Sequence, residues 1–142
     1  MSYCTRQDVV RQLSERGLAY LLDDDGDGET SSGELEPLDA AIESASAEID
    51  LALRPHVHLP LVEPNVWLRD RGVDLAAERL AQRKGQDVPP SLAAAARRSR
   101  VWLEQVRTGQ IRPPGLEYAA DADPRARLAG LPRVLNVERN ET

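Results

Sequence analysis

Between Leu35 and Ala52 the apolar residues Leu35, Leu38, Ile42, Ala45, Ile49 and Ala52 recur at steps of three and four, with Glu36, Asp39, Glu43 and Asp50 largely outside that stripe. This is the period of an amphipathic helix, and a helix with one apolar face has to bury it against other elements. Arg54-Pro55 ends the pattern, because the residue before a proline is pushed out of the α region. A fold of short helices packed on one another is therefore the frame into which the remaining segments have to fit.

Three further segments fit it. Thr5-Arg6-Gln7-Asp8 reads as a capping box, in which the Thr5 hydroxyl accepts from the Asp8 amide and the Asp8 carboxylate reaches back. A helix follows with Val9, Val10, Leu13, Leu18, Leu21 and Leu22 at helical spacing, and Gly17 inside it is the expected point of division. After the Pro-rich stretch from Pro55 to Pro64, expected to run extended without hydrogen bonds of its own, a helix is predicted over 65–83. Val66, Val73, Ala77 and Leu80 form one stripe on it and Leu68 and Leu75 another, so it should touch two neighbours, from this chain or from another. Gly85 and Pro89-Pro90 precede a fourth helix over 91–108, lined by Leu92, Ala95, Ala96, Ser99, Trp102, Leu103 and Val106. Beyond Gly109 the periodicity dissolves, and only 133–137 reads as a short strand. The expectation is an all-α protein: a four-helix domain over 1–108 with an extended Pro-rich connector, then a long, mostly irregular arm over 109–142 whose Leu131, Val134, Leu135 and Val137 suit gripping a partner.

Composition narrows the classes. The 142 residues suit one domain, and the longest apolar runs are too short to span a bilayer. No basic start followed by an apolar stretch marks a secretory signal, and a single Cys4 excludes disulfide frameworks and cysteine-based zinc sites. The expectation is a soluble, intracellular protein without a membrane partner. The net charge of −6 conceals an asymmetry: Gly17 to Leu53 holds eleven acids and no Lys or Arg, while the rest of the chain is net basic. Opposite ends of opposite sign suit head-to-tail stacking on copies or partners, although two differently solvated faces produce the same asymmetry.

The most specific local motif is Asp23-Asp24-Asp25-Gly26-Asp27-Gly28 closed by Glu34, which satisfies the pattern of a helix–loop–helix calcium loop. In such a loop Asp23, Asp25 and Asp27 supply side-chain oxygens, the Glu29 carbonyl another, and Glu34 two more. Thr30 departs from the pattern, standing where an apolar β-branched residue pairs two loops, and no second loop exists. An acidic surface turn before a helix N-terminus explains the same residues. Calcium is thus a candidate ligand, and no cofactor is required. His56 and His58 alternate on one side of the connector, a spacing that suits one ion but is commoner for packing or surface residues. Cys4 has no base beside it in sequence and reads as inert. No nucleophile elbow, zinc-protease, phosphate-loop or dinucleotide fingerprint occurs, and the expectation is against an enzyme. Arg97 to Arg112 holds five Arg against Glu104, but Trp102 falls on the apolar stripe, so sequence-specific DNA reading is not expected. Charge alone permits non-specific proximity to a DNA backbone.

The order of parts resembles a known family. Tyr3-Cys4-Thr5-Arg6-Gln7-Asp8-Val9 leads to the acidic Asp-Gly-Asp-Gly loop, then Ser44-Ala45-Ser46-Ala47-Glu48-Ile49-Asp50, the Leu59-Pro60-Leu61 turn, and Asp74-Leu75-Ala76-Ala77-Glu78-Arg79-Leu80. Over residues 3 to 108 this succession is similar to the head–tail connector (adaptor) proteins of Mu-like tailed phages and prophages. His56-Val57-His58 departs from it, standing where an aromatic segment is more usual. The resemblance implies a helical homo-oligomer, a ring often of about twelve copies closed by rotation. That ring would sit in the virion neck between the portal protein and a downstream stopper, tail-terminator or tail-completion protein, around the DNA channel. It carries no catalytic residues. On this reading Glu36, Asp39 and Glu43 of one subunit are expected to face Arg97, Arg98 and Arg100 of the next. The alternative from a different class is a calcium-binding helical module that stabilises or regulates another complex.

Overall fold

A computed structural model describes residues 2–23, 33–83, 85 and 87–119. They form α1 (Arg6–Leu22), a short 3-10 turn (Gly33–Leu35), α2 (Glu36–Leu53), α3 (Val66–Gln82) and α4 (Pro90–Arg107). The described residues are thus all-helical, with one isolated bridge between Val57 and Tyr118 in place of any strand.

Local chemistry sets the helix starts. The capping box is present as read, with Thr5 Oγ1 accepting from the Asp8 amide at 3.2 Å and Asp8 Oδ2 accepting from the Thr5 amide at 2.8 Å. Asn65 caps α3 by accepting from the amides of Trp67 and Leu68, and Pro90 opens α4 at a position where a missing N–H costs nothing. The break in α1 falls at Ser14, not Gly17. Ser14 has φ 67° and ψ 160°, a region favoured only by glycine, and its Oγ accepts from the Gly17 amide at 3.2 Å. The serine restarts the helix as a cap, and the strained backbone is the cost of doing so three residues before the glycine.

Helix α3 is the centre of the molecule and packs against α1, α2 and α4. Both of its apolar stripes are occupied from within the chain: Leu68, Leu75 and Leu80 are fully buried, and Ala76, Ala77 and Ala81 let the neighbouring helices approach closely. Val66 is the exception, half exposed at the first turn. Gly72 serves the same close approach, since a Cβ there would stand 3.3 Å from Cys4 Sγ and 3.6 Å from Ile49 Cδ1. The segment before α1 is thereby locked onto α3. Tyr3 and Cys4 are buried, the Tyr3 amide donates to Ser46 Oγ, and its hydroxyl donates to Asp50 on α2.

The connector and the start of the arm are more ordered than the sequence reading expects. A turn over 54–56 carries hydrogen bonds from the His56 and Val57 amides to the Leu53 carbonyl, and the Leu59–Pro60 bond is cis. His56 and Val57 are buried, and with the Val57 amide taken by Leu53 it is the His56 carbonyl that needs a partner. Residues 109–119 supply one by folding back: Tyr118 pairs with Val57, and the Ala119 amide donates to the His56 carbonyl. Pro113 is fully buried, and Asn65 Nδ2 donates to the Pro114 carbonyl. The arm therefore begins as part of the packed body. The strand expected at 133–137 and the gripping residues Leu131, Val134, Leu135 and Val137 lie outside the described residues.

Candidate functional site

Helices α2 and α4 each turn one face to the core and leave the other open. On α2 the open face carries Glu36, Ala40, Glu43, Ala47 and Leu51, all exposed, and Arg54 follows at the C-cap. On α4 it carries Arg97, Arg98, Val101 and Glu104, with Val101 55% exposed. A groove of about 670 Å³ runs beside α2, bordered by Glu36, Asp39, Glu43 and the segment Ser2–Arg6. A second of about 450 Å³ lies along α4, bordered by Glu78, Arg97, Arg100, Val101 and Glu104.

Of the charges expected at a subunit contact, two are engaged inside the chain. Arg100 donates through Nε to Glu48 Oε2 at 2.8 Å, and its Nη1 lies 2.7 Å from Glu78 Oε1. Glu48 also accepts from Arg79 Nη2 at 2.7 Å, so a single carboxylate on α2 ties α3 to α4. Burial works to raise the Glu48 carboxyl, but the hydrogen bonds from Arg100 and Arg79 outweigh it and hold it below the ordinary glutamate range. Asp39 accepts two hydrogen bonds from Arg6, at 2.8 and 2.6 Å, which pin the start of α1 to the start of α2 and lower its carboxyl. Arg97, Arg98, Glu36 and Glu43 are exposed, and among the described residues they make no ion pair. The sequence signal missed the Glu48–Arg79–Arg100–Glu78 cluster because its members lie 31 and 52 residues apart and no local spacing links them.

The ends of the acidic loop are in place. Asp23 caps the C-terminus of α1, its amide donating to the Ala19 carbonyl, and Glu34 sits buried in the turn that leads into α2. Asp25, Asp27 and Glu29 lie outside the described residues. The two histidines part company: His56 is buried and donates through Nε2 to the Arg107 carbonyl at 2.8 Å, whereas His58 is exposed. Among the described residues no three metal-ligating side chains converge, and no helix is long and apolar enough to cross a membrane. Burial pushes the Cys4 thiol up to about 11, which leaves it protonated and unreactive at neutral pH. Trp102 is partly buried, with the Arg71 guanidinium 5.4 Å over its ring, so it packs as the apolar stripe expects.

The family model of bacteriophage Mu, Gp36, matches residues 3–129, nearly the whole chain. The chain belongs to the bacteriophage Mu Gp36 family. No curated protein matches it. The match reaches beyond residue 108, where the sequence resemblance fades, and takes in the segment 109–119 that packs on the connector. It also takes in Tyr3 and Cys4, whose anchoring on α2 and α3 accounts physically for a match that starts before the first helix. This Gp36-family chain is therefore a Mu-like phage protein with a four-helix body.

Proposed function

We propose that this protein is a structural head–tail connector, a ring of identical copies in the virion neck between the portal and a downstream stopper, terminator or tail-completion protein. Membership of the Mu Gp36 family is the observation that carries the reading. The open faces of α2 and α4 support it, because one presents acids and the other arginines that make no ion pair among the described residues. A surface contact between unlike faces repeats by rotation, and it closes as a ring where that rotation returns to its start and runs on as a filament where it does not. The role is scaffolding and not catalysis, and DNA in the channel meets the ring only through charge. Pull-down of the tagged chain from cells that make its particles, read by mass spectrometry, tests it. A portal subunit and a tail-completion protein recovered at ring-like stoichiometry support the connector, and recovery of neither refutes it.

Calcium binding is a second reading, favoured by one observation: helices end and restart on either side of the Asp23–Glu34 loop, as the motif requires. In a connector the ion would neutralise the repelling carboxylates of Asp23, Asp25 and Asp27 and stiffen the passage from α1 to α2. A ligand at 100 times its Kd stabilises by about 2.7 kcal/mol. Calcium should therefore raise the melting temperature of the full chain, and Asp25→Asn should remove the effect. If partners are captured only in calcium and none is a portal or tail protein, the regulatory module replaces the connector.

A further inference from the structure

The outward faces of α2 and α4 carry charge of opposite sign followed, at the same spacing, by an apolar centre. Along α2 the order is acidic, apolar, basic: Glu36 and Glu43, then Ala47 and Leu51, then Arg54. Along α4 it is basic then apolar: Arg97 and Arg98, then Val101, with the following Glu104 already paired to Arg107. Four residues separate Glu43 from Ala47, and four separate Arg97 from Val101, so in both helices the charge and the apolar centre are about 6 Å apart along the axis. Laid parallel, the two faces match Glu43 with Arg97 and Arg98, and Ala47 with Val101. Glu104, held by Arg107 on its own chain, then falls beside Asp50, so the match rests on Glu43 with the two arginines and on the apolar centre. Laid antiparallel, Glu43 meets Arg98 only with Ala40 opposite Val101, which leaves Leu51 about three turns away from the apolar centre.

We propose that the α2 face of one copy receives the α4 face of the next, in parallel register, and that this is the repeating contact of the assembly. The contact deepens the connector reading and rests on it for closure into a ring. It revises the residue set expected from sequence. Arg100 and Asp39 hold the monomer together through Glu48, Glu78 and Arg6, while Arg97, Arg98, Glu36 and Glu43 are the charges available between copies. The occupant is a second copy because the complementary face is present on the same chain. Exposed Val101 and Leu51 give the contact an apolar centre that surface charge alone would lack.

Cysteine pairing tests the register. The full chain carrying Ala47→Cys and Val101→Cys is oxidised alone and when co-expressed with its portal. Cys4 stays silent because it is buried. The expected product is a ladder of disulfide-linked multimers from the double variant, with at most a background of dimers from either single variant. Adding Arg97→Glu and Arg98→Glu should abolish the ladder. Adding Glu36→Arg and Glu43→Arg on top should restore it, which a misfolded variant would not do. No ladder in either setting, a ladder indifferent to charge reversal, or equal linkage from the single variants overturns the proposal. A ladder that never closes and binds no portal upholds the contact while refuting the connector. Closed rings on the portal that tolerate Arg97→Glu with Arg98→Glu refute the contact and leave the connector standing.

Discussion

Replacing Glu48 by Gln should loosen the joint between three helices while keeping its shape. The carboxylate accepts charge-assisted hydrogen bonds at 2.7 and 2.8 Å from Arg79 and Arg100, each from a different helix. Buried hydrogen bonds to charged groups are worth about 1.5–3 kcal/mol each, and exposed ion pairs about 0.2–1. The Glu48, Arg79 and Arg100 side chains are 26%, 35% and 40% exposed, so solvent screens the pair and the joint contribution falls to about 1–2 kcal/mol. For a body of this size that corresponds to a drop of about 3–10 °C in Tm at neutral pH. The pH dependence supplies the sharper check. Because the folded-state carboxyl lies below its unfolded value, its contribution is full above the unfolded glutamate pKa of about 4.3 and is lost as pH falls through the folded one. The stability gap between wild type and Glu48→Gln, from thermal melts or urea titrations, should be constant between about pH 6 and 8 and close below about pH 4. A double-mutant cycle with Arg100→Met should give a coupling of about 0.5–1.5 kcal/mol. A gap that persists unchanged into acid, or additivity within about 0.3 kcal/mol, would refute the reasoning.

Other consequences are open to the same melts. Ser14→Ala loses the cap and keeps the strained backbone, and should cost about 1–2 kcal/mol; Ser14→Gly relieves the strain and should come within about 0.5 kcal/mol of wild type, the reverse of ordinary helix propensity. Truncation after Thr108 removes buried Pro113 and the Tyr118 pairing, and should lower Tm, whereas truncation after Ala119 should leave the described body at its full stability. If both truncations melt alike, the 109–119 segment contributes nothing to the fold. Gly72→Leu drives a side chain against Cys4 and Ile49 and should destabilise by about 1–3 kcal/mol or more; an unchanged Tm would mean that the Tyr3–Cys4 segment is not held on α3.

The helices were legible because their causes are local. The three-and-four spacing of Leu38, Ile42, Ala45 and Ile49 and the Thr5–Asp8 capping box each act within a few residues, and the observed bounds follow them closely. Helix α2 does end before Pro55, but Arg54 keeps helical angles of −51° and −39°, so the stop comes from the missing proline N–H and not from Arg54 leaving the α region. The kink in α1 was half legible. A glycine advertises a break, but the hydroxyl of Ser14 could cap the second half and did so at a backbone cost that composition does not reveal. The resemblance to a phage family was legible for the same reason, since its motifs are short runs with fixed order, and the family match over residues 3–129 agrees with it.

Charge was only half readable. Sequence alone determined that acids crowd the stretch from Gly17 to Leu53 and that arginines stud α4. It could not sort which of them face inward, because Glu48 meets Arg79 and Arg100 only after α2, α3 and α4 have packed. Tertiary packing likewise decided that both stripes of α3 are filled from within the chain, and that residues 109–119 return to satisfy the His56 carbonyl beside buried Val57. A hydrogen bond or ion pair between distant segments depends on the path of the whole backbone, whereas helix period and capping depend on neighbours a turn away. That difference in range is why the elements and the family could be read from the sequence, while the internal ion cluster and the charges left open on α2 and α4 needed the fold.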